Sequence, residues 1–581
     1  MGIREACIIL HCLTVTLVAG LEGGSGAGGR EDRQDIAFEA MVPVRDGSLM
    51  HVVGSHPKCH RACKFPTLLT VTPYNASKAW AKAIESADPE FAVVVQRQRS
   101  TGRSTGDPTG RYTGTPDDIY DVIQWICDKW WSSGKVFITG SSASGISGSL
   151  AQVKGKSHPA LQALSLSVYS YSPYDVAFEN GLLTYQTSIE WNKKNAPERV
   201  EFILTHERYV PNLHGAMDVS YESWGHTTLP VIHAGGWHGP FSQLVVQAYQ
   251  GQQTEGGRGA KGNQFLVMGF GDHCGPRKTQ IPYPGSLAQG PVRRILQNNL
   301  FAHILEGKSM SSFNLPRLYL SVLGNPRFRQ VSVKQNFWVC LDEWPVPTIR
   351  RFRLSRGVLE RSAGMLADEA WEGLGNASLS TTFTSDPTSP VPTLGGHALG
   401  YESCGPWDQR LLEQRSDVIR FTSSRLDSDL AIVGLVTFDL YVSTTQTDGD
   451  IMVKLTDVND DGESFNVADS GMRLRRRNGS ESASEPVVPG LVYRVEIELY
   501  ASYVFRKNHQ VRLVVAGSNA PQYSVNLQNI ECGIESCPPP HEPQTANVSI
   551  HHSNEYPSTI TLPTVALTRL QEQKCDPVRT I

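Results

Sequence analysis

The stretch Lys135-Val136-Phe137-Ile138-Thr139-Gly140-Ser141-Ser142-Ala143-Ser144-Gly145 is an apolar run that passes directly into a cluster of small residues. A serine at the tip of a strand-to-helix turn has strained backbone angles, and the turn closes only if its neighbours are small. Gly140, Ser141, Ala143, Ser144 and Gly145 meet that condition, so Ser142 reads as a nucleophile. The spacing is Gly-x-Ser-x-x-Gly, one residue longer than the common form.

The surroundings strengthen this reading. Thr115-Pro116-Asp117-Asp118 offers an N-cap, a proline at the first helical position and acids in the first turn, which predicts a helix starting there. Ile119, Val122, Ile123, Ile126 and Trp130 recur at helical spacing, and Ser132-Ser133-Gly134 stops the helix before the strand. Helix, buried strand, small-residue turn and helix is the setting of a nucleophile elbow in an α/β-hydrolase. The plainer alternative is an ordinary strand-to-helix turn lined with serines, and the rest of the chain decides between them.

At 581 residues the chain exceeds one core, so two or three domains are expected. With 40% hydrophobic residues, 19% charged and a net charge of -4, it reads as a soluble globular protein. The lack of a basic stripe argues against nucleic acid as a partner. Residues 1–20, with Arg4 ahead of an apolar run from Ala6 to Leu21 and Val18-Ala19-Gly20 as a cleavage region, predict a signal peptide, a signal anchor being the runner-up. A secreted chain can form disulfides, and nine cysteines follow Cys7 and Cys12, so at least one stays unpaired. Cys59 with Cys63 and Cys532 with Cys537 are candidate local bridges. Neither pair has zinc spacing, and no metal or cofactor is expected. Sequons at Asn75, Asn376, Asn478 and Asn547 suit an extracellular glycoprotein.

Residues 21–35, rich in glycine and charge, read as a disordered linker. From 36 to 175, short apolar runs at Thr67–Val71, Phe91–Val95 and Ala163–Val168 join the strand before Ser142, with a helix over Ala76–Ser86. Between 176 and 225 the strand rhythm lapses into a mixed polar and aromatic segment, placed where a hydrolase carries a cap. Val231–Ala234 and Phe265–Met268 resume the sheet over 226–325. From 326 to 581, alternating segments such as Leu435–Val442 and Tyr493–Leu499 predict a β-sandwich, interrupted from Ser355 to Ser416 by a loop-rich insertion holding Cys404.

Several ordered segments make the chain resemble the cocaine esterase and X-Pro dipeptidyl-peptidase family of serine hydrolases. They are Arg45-Asp46-Gly47, Thr72-Pro73-Tyr74, the elbow, Gly235-Gly236-Trp237, Gly269 to His273, Trp344-Pro345, Thr456-Asp457-Val458, Asp461-Gly462, and Phe505 with His509, Arg512 and Leu513. The resemblance implies an α/β-hydrolase domain with an inserted cap and a C-terminal jelly-roll β-sandwich. It implies Ser142 as nucleophile, His273 as its base, and Tyr74 with the backbone N–H of Ala143 as oxyanion donors. Trp237 and Phe241 are candidate substrate-pocket residues. The expected activity is cleavage of a small ester or a peptide, X-Pro peptides being a family option.

Three positions depart from the family pattern. Ala143 replaces a tyrosine but keeps the backbone donor. Gln96-Arg97-Gln98-Arg99-Ser100 loses an acidic residue. Gly235-Gly236-Trp237-His238-Gly239 has glycine where the family carries its catalytic aspartate. Asp272 is adjacent to His273, but consecutive side chains point apart, so Asp175 is the substitute acid to test. If no acid replaces it, the alternative is a catalytically impaired member acting as a binding or scaffold protein. Asp457 to Gly462 imitates the start of a calcium loop, but its twelfth position is Ala468, and a turn between strands is the better reading.

Overall fold

The computed structural model describes residues 35–581 apart from 60–61, 272, 274–279, 281–282, 284–287, 326–335, 356–357, 362–378, 400–402 and 534–535. The expected signal peptide and cleavage region, nearly all of the linker, Asn376 and Asp272 therefore lie outside the described residues.

Ten strands form the N-terminal sheet: β1 (Asp35–Pro43), β2 (Leu49–Pro57), β3 (Phe65–Thr72), β4 (Ala92–Arg97), β5 (Ser132–Ser141), β6 (Leu161–Ser167), β7 (Val231–Gly236), β8 (Phe265–Gly269), β9 (Leu318–Gly324) and β10 (Phe337–Leu341). Their pairings run β1-β2-β4-β3-β5-β6-β7-β8-β9-β10. From β4 to β9 the pairs are parallel, while β1, β2 and β10 are antiparallel at the ends. Strands covered on both faces need no alternation, which is why Ala92-Val93-Val94-Val95 and Phe265-Leu266-Val267-Met268 are buried residue after residue.

Helices α1 (Ala76–Ser86), α2 (Arg111–Cys127), α3 (Ala143–Ser149), α7 (Ser242–Glu255) and α8 (Gln289–Leu305) pack on this sheet. Helix α1 has the predicted limits, its Asn75 side chain accepting from the Lys78 N–H at 3.0 Å. Helix α2 starts five residues before the predicted point, so Pro116 lies inside it. Thr115 does not cap; its hydroxyl turns back to the Arg111 carbonyl. The helix also ends at Cys127, leaving Trp130 44% exposed rather than on the apolar face.

Between β6 and β7 the chain leaves the sheet and forms α4 (Pro173–Ala177), α5 (Trp191–Asn195) and α6 (Glu198–Thr205) around Tyr174, Phe178, Leu183, Ile189, Ile203 and Tyr209. From Thr348 onward the chain is almost entirely β, with long strands Leu430–Thr444 and Tyr493–Phe505 paired antiparallel from Leu430↔Phe505 to Val442↔Tyr493. The Asp457–Gly462 segment joins strands whose register closes at Val458↔Ser464, and Gly462 has φ 77°. Asp457 is buried, accepting from His509 at 2.8 Å and from the Tyr503 hydroxyl at 2.9 Å.

The β9 strand belongs to both halves: Leu318–Leu320 pair with β8, while Leu323 and Gly324 pair with Tyr503 and Val504. Cys59–Cys63 and Cys532–Cys537 are bridged as expected. Cys340–Cys575, 235 residues apart, ties β10 to the C-terminal strand, and Cys404 is also disulfide-bonded. Cys127 is a free thiol. Among the described residues no helix is long and apolar enough to cross a membrane.

Candidate active site

Parallel strands deliver their loops to one edge of the sheet, and ligands of such sheets bind at the carboxyl ends. Tyr74 follows β3, Ser142 follows β5, the α4–α6 segment follows β6, Trp237 to Phe241 follow β7, and His273 follows β8.

Ser142 has φ 55° and ψ -131°, a backbone strained for any residue with a side chain. The surrounding glycines explain how the turn is held. A Cβ on Gly140 would sit 2.4 Å from the Ser144 carbonyl oxygen, and one on Gly145 would sit 2.8 Å from the Tyr169 Cβ. The longer motif spacing is therefore functional: Gly145 supplies the close approach, and Ser144 instead donates to the Thr72 hydroxyl at 2.9 Å. Thr72 Oγ1 in turn accepts from the Tyr74 N–H at 3.2 Å, tying the elbow to the loop that carries Tyr74.

Ser142 Oγ lies 3.2 Å from His273 Nε2. Ala143 opens α3, so its backbone N–H has no acceptor within the helix and is free to serve a ligand at the elbow. Tyr74 is partly exposed, its ring edge-on to Trp191 at 6.1 Å. A pocket of about 520 Å³, including its open mouth, is lined by Ser142, Ala143, Tyr112, Trp191, Arg199 and Phe241 among others. Phe241 is thus where the sequence places it. Trp237 is not: its indole is buried and donates to the Ser321 carbonyl at 2.8 Å, because an indole N–H in a core needs an acceptor.

The β7 and β8 loops are pressed together. A Cβ on Gly236 would meet the Gly271 carbonyl oxygen at 2.2 Å, and the Trp237 N–H donates to the Gly269 carbonyl at 3.0 Å. This places Gly239 beside the His273 loop; its absent Cβ would be 3.6 Å from the Gly271 oxygen. Gly239, where the resemblance puts the family's acid, thus lies beside this loop without a carboxylate. His238 is buried with both ring nitrogens unpartnered, and burial with His397 nearby pushes it down to about 3.

Asp175 is not brought to His273. It sits in the first turn of α4, its carboxyl engaged by Ser172 and Tyr171, and burial together with Asp218 pushes it up to about 7. Of the remaining departures, Arg97 donates to the Pro73 carbonyl at 3.3 Å, next to Tyr74. Arg99 is buried against Asp118, at 2.6 and 2.9 Å, and Asp46, at 2.8 Å.

The C-terminal region completes the site. Leu399 lines the pocket, and His397 Nε2 donates to the Trp237 carbonyl at 2.8 Å while Nδ1 lies 3.2 Å from Asp469. Burial alone would lower His397, but Asp469 outweighs it and raises the imidazole to about 9.

A parallel sheet with an elbow serine and a histidine delivered from a later strand defines an α/β-hydrolase. Family models for the X-Pro dipeptidyl-peptidase (S15 family) and for its C-terminal non-catalytic domain match residues 46–199 and 317–561. The chain is 25% identical to cocaine esterase from Rhodococcus sp. (strain MB1 Bresler) over 91% of its own length and 98% of that protein. Its fold is similar to that of an aminopeptidase from a marine sediment Thaumarchaeota archaeon (TM-score 0.73, 19% identity, covering 94% of this chain and 99% of that one). It also resembles an α-amino acid ester hydrolase (TM-score 0.66, 20% identity, covering 94% and 99%). The chain belongs to the cocaine esterase and X-Pro dipeptidyl-peptidase family, and it is a serine hydrolase.

Proposed function

We propose that the protein is a secreted enzyme that cleaves a small ester or amide through an acyl-enzyme on Ser142. The observation that carries this reading is the pairing of a strained φ of 55° at Ser142 with an Oγ to Nε2 distance of 3.2 Å to His273. His273 takes the hydroxyl proton as Oγ attacks the carbonyl carbon, and returns it to the leaving group as the bond to that group breaks. Water then repeats the sequence and releases the acid. The Ala143 N–H and the Tyr74 hydroxyl hold the oxyanion, each such donor contributing about 100- to 1,000-fold in rate. We read the α4–α6 segment as the cap over this site and the C-terminal region as the jelly roll that walls it. The bridges Cys59–Cys63, Cys340–Cys575 and Cys532–Cys537 support an oxidising, extracytoplasmic setting.

Fluorophosphonate labelling tests the reading. Ser142 is the expected sole target, and Ser142→Ala abolishes both labelling and ester hydrolysis. His273→Ala lowers turnover by about 1,000-fold or more with little change in melting temperature. Labelling that persists in Ser142→Ala, or moves to Ser141 or Ser144, overturns the assignment. Gly239 favours a second reading, a family member whose weak catalysis serves a binding role. Its sign would be labelling by the probe far slower than in cocaine esterase.

A further inference from the structure

The pocket beside Ser142 contains a guanidinium that no described residue meets with a hydrogen bond or ion pair. Arg199, on α6, lines this pocket and is only 5% exposed. Its guanidinium makes no hydrogen bond or ion pair with any described residue, and its Nε is enclosed without a partner. It is held instead by rings, lying 4.2 Å over Tyr112 and 5.6 Å over Phe202. Such contacts fall well short of what burial of a lone ion costs.

The neighbouring charges do not change this balance. Glu198, next in the chain, is taken by Arg111, a buried side chain of α2 whose Nε and Nη1 are themselves unpartnered. Arg97 lies close enough for Arg111 to depress its proton affinity, and burial pushes Arg199 down to about 10, still protonated at neutral pH. Arg111 and Arg199 thus share one carboxylate, that of Glu198. The remaining pocket wall is Pro173, Val176, Ala177, Ile203, Phe241 and Leu399 with a few neutral polar groups, and among the described residues no Asp or Glu lines it. Asp175, Glu179 and Glu498 line the adjoining pocket instead, which shares Val176, Thr187 and Phe241.

We infer that the substrate carries a carboxylate on the portion that fills the Ser142 pocket, and that Arg199 is the residue that selects it. A planar guanidinium matches a carboxylate in two parallel hydrogen bonds, and an apolar wall strengthens both. The substrate class is therefore the half-ester or half-amide of a short dicarboxylic acid, or an ester whose alcohol portion bears the acid. This rests on the serine-hydrolase reading above and narrows it. It runs against a free amino group, which a lone cation in the pocket would repel.

Two matched series test it in the wild-type protein. One compares methyl hydrogen glutarate, methyl pentanoate and methyl 5-aminopentanoate; the other compares the acetyl esters of 4-hydroxybenzoate, 4-cresol and tyramine. In one series the anionic member is expected to lead in kcat/KM by about 10- to 100-fold, the range of a charge-assisted hydrogen bond. Arg199→Met brings that ratio to about 1, and Arg199→Lys restores part of it. A neutral or cationic member leading in both series, or a preference that survives Arg199→Met, overturns the inference. Binding separates this result from the mechanism: calorimetry of methyl hydrogen glutarate with Ser142→Ala should show affinity falling at least about tenfold on adding Arg199→Met. Unchanged affinity overturns the anion site even if Ser142 labels normally. Loss of labelling in the wild type with the affinity difference intact overturns only the mechanism.

Discussion

At Ser142 the backbone takes a turn that only small neighbours permit, and the same crowding decides what Gly239 can become. Its φ lies outside the left-handed region, and a Cβ there would be 3.2 Å from the Gly236 carbonyl oxygen, tight but within what a small shift relieves. Gly239→Asp would place a carboxylate where it can orient the imidazole of His273, and loss of such an acid costs a triad about 10,000-fold. We expect Asp175→Asn, whose carboxyl is engaged by Ser172 and Tyr171, to leave kcat nearly unchanged; an enzyme that lacks any acid would gain at least about tenfold in kcat from Gly239→Asp. A fall in kcat of two orders of magnitude in Asp175→Asn would make Asp175 the acid after all. The proposed pair, Ser142 and His273, was readable from the chain because short-range features mark it: small residues around Ser142, and a histidine just past a buried strand. Arg199 was not, since a single arginine in a helix reads as solvated until Tyr112, 87 positions earlier, is seen stacked on it. Trp237 was misread for the opposite reason. An aromatic after two glycines looks like a pocket wall, but its N–H finds Ser321 in the core.

Among the elements, the segment between β6 and β7 depends on the C-terminal region for its position. Arg475 reaches Glu207 through hydrogen bonds of 2.9 to 3.0 Å, the Arg473 N–H donates to the Asn180 carbonyl at 3.1 Å, and Tyr523 donates to Glu179 at 2.7 Å. Glu207 is held below the usual carboxylate range because these arginines outweigh its burial. Glu207→Gln should therefore loosen α5 and α6, which carry Trp191 and Arg199 into the pocket. The expected result is KM raised by about threefold to tenfold with kcat changed less, as for loss of binding shared by substrate and transition state. Limited proteolysis within 184–226 should speed up in parallel. An unchanged KM and cleavage rate would mean the segment is held by its own core. Strands β3 to β8 were legible as apolar runs, and α1 was legible as the helical stretch between two of them. The start of α2 was not, because Thr115 satisfied its own helix carbonyl and left the flanking role to Gly110.

For the whole molecule, the buried His397–Asp469 pair predicts how stability follows pH. His397 is raised in the folded protein from 6.5 to about 9, so its contribution is complete below about 6.5 and is lost as pH rises through about 9. Asp469 is lowered from 3.8 to about 2, so its contribution holds above about 3.8 and is lost as pH falls through about 2. Urea unfolding between pH 7 and 9.5 should show a loss of about 2 kcal/mol, absent in His397→Gln. A wild-type curve flat over this interval would rule out a charged His397 in the folded state. The Cys340–Cys575 bridge was not foreseeable, since two cysteines 235 residues apart carry no spacing signal.

The strand β9 also limits how this protein can move and how its genes can be rearranged. Because Leu318–Leu320 belong to one sheet and Leu323–Gly324 to the next, no linker separates the two halves, and no hinge can open between them without breaking ladder hydrogen bonds. Substrate must then enter through the open mouth of the pocket rather than by the two halves parting. A recombination event that exchanged the C-terminal half would have to keep the register at Tyr503 and Val504, or leave the last parallel strand of the hydrolase sheet, β9, with unpaired backbone groups in its core.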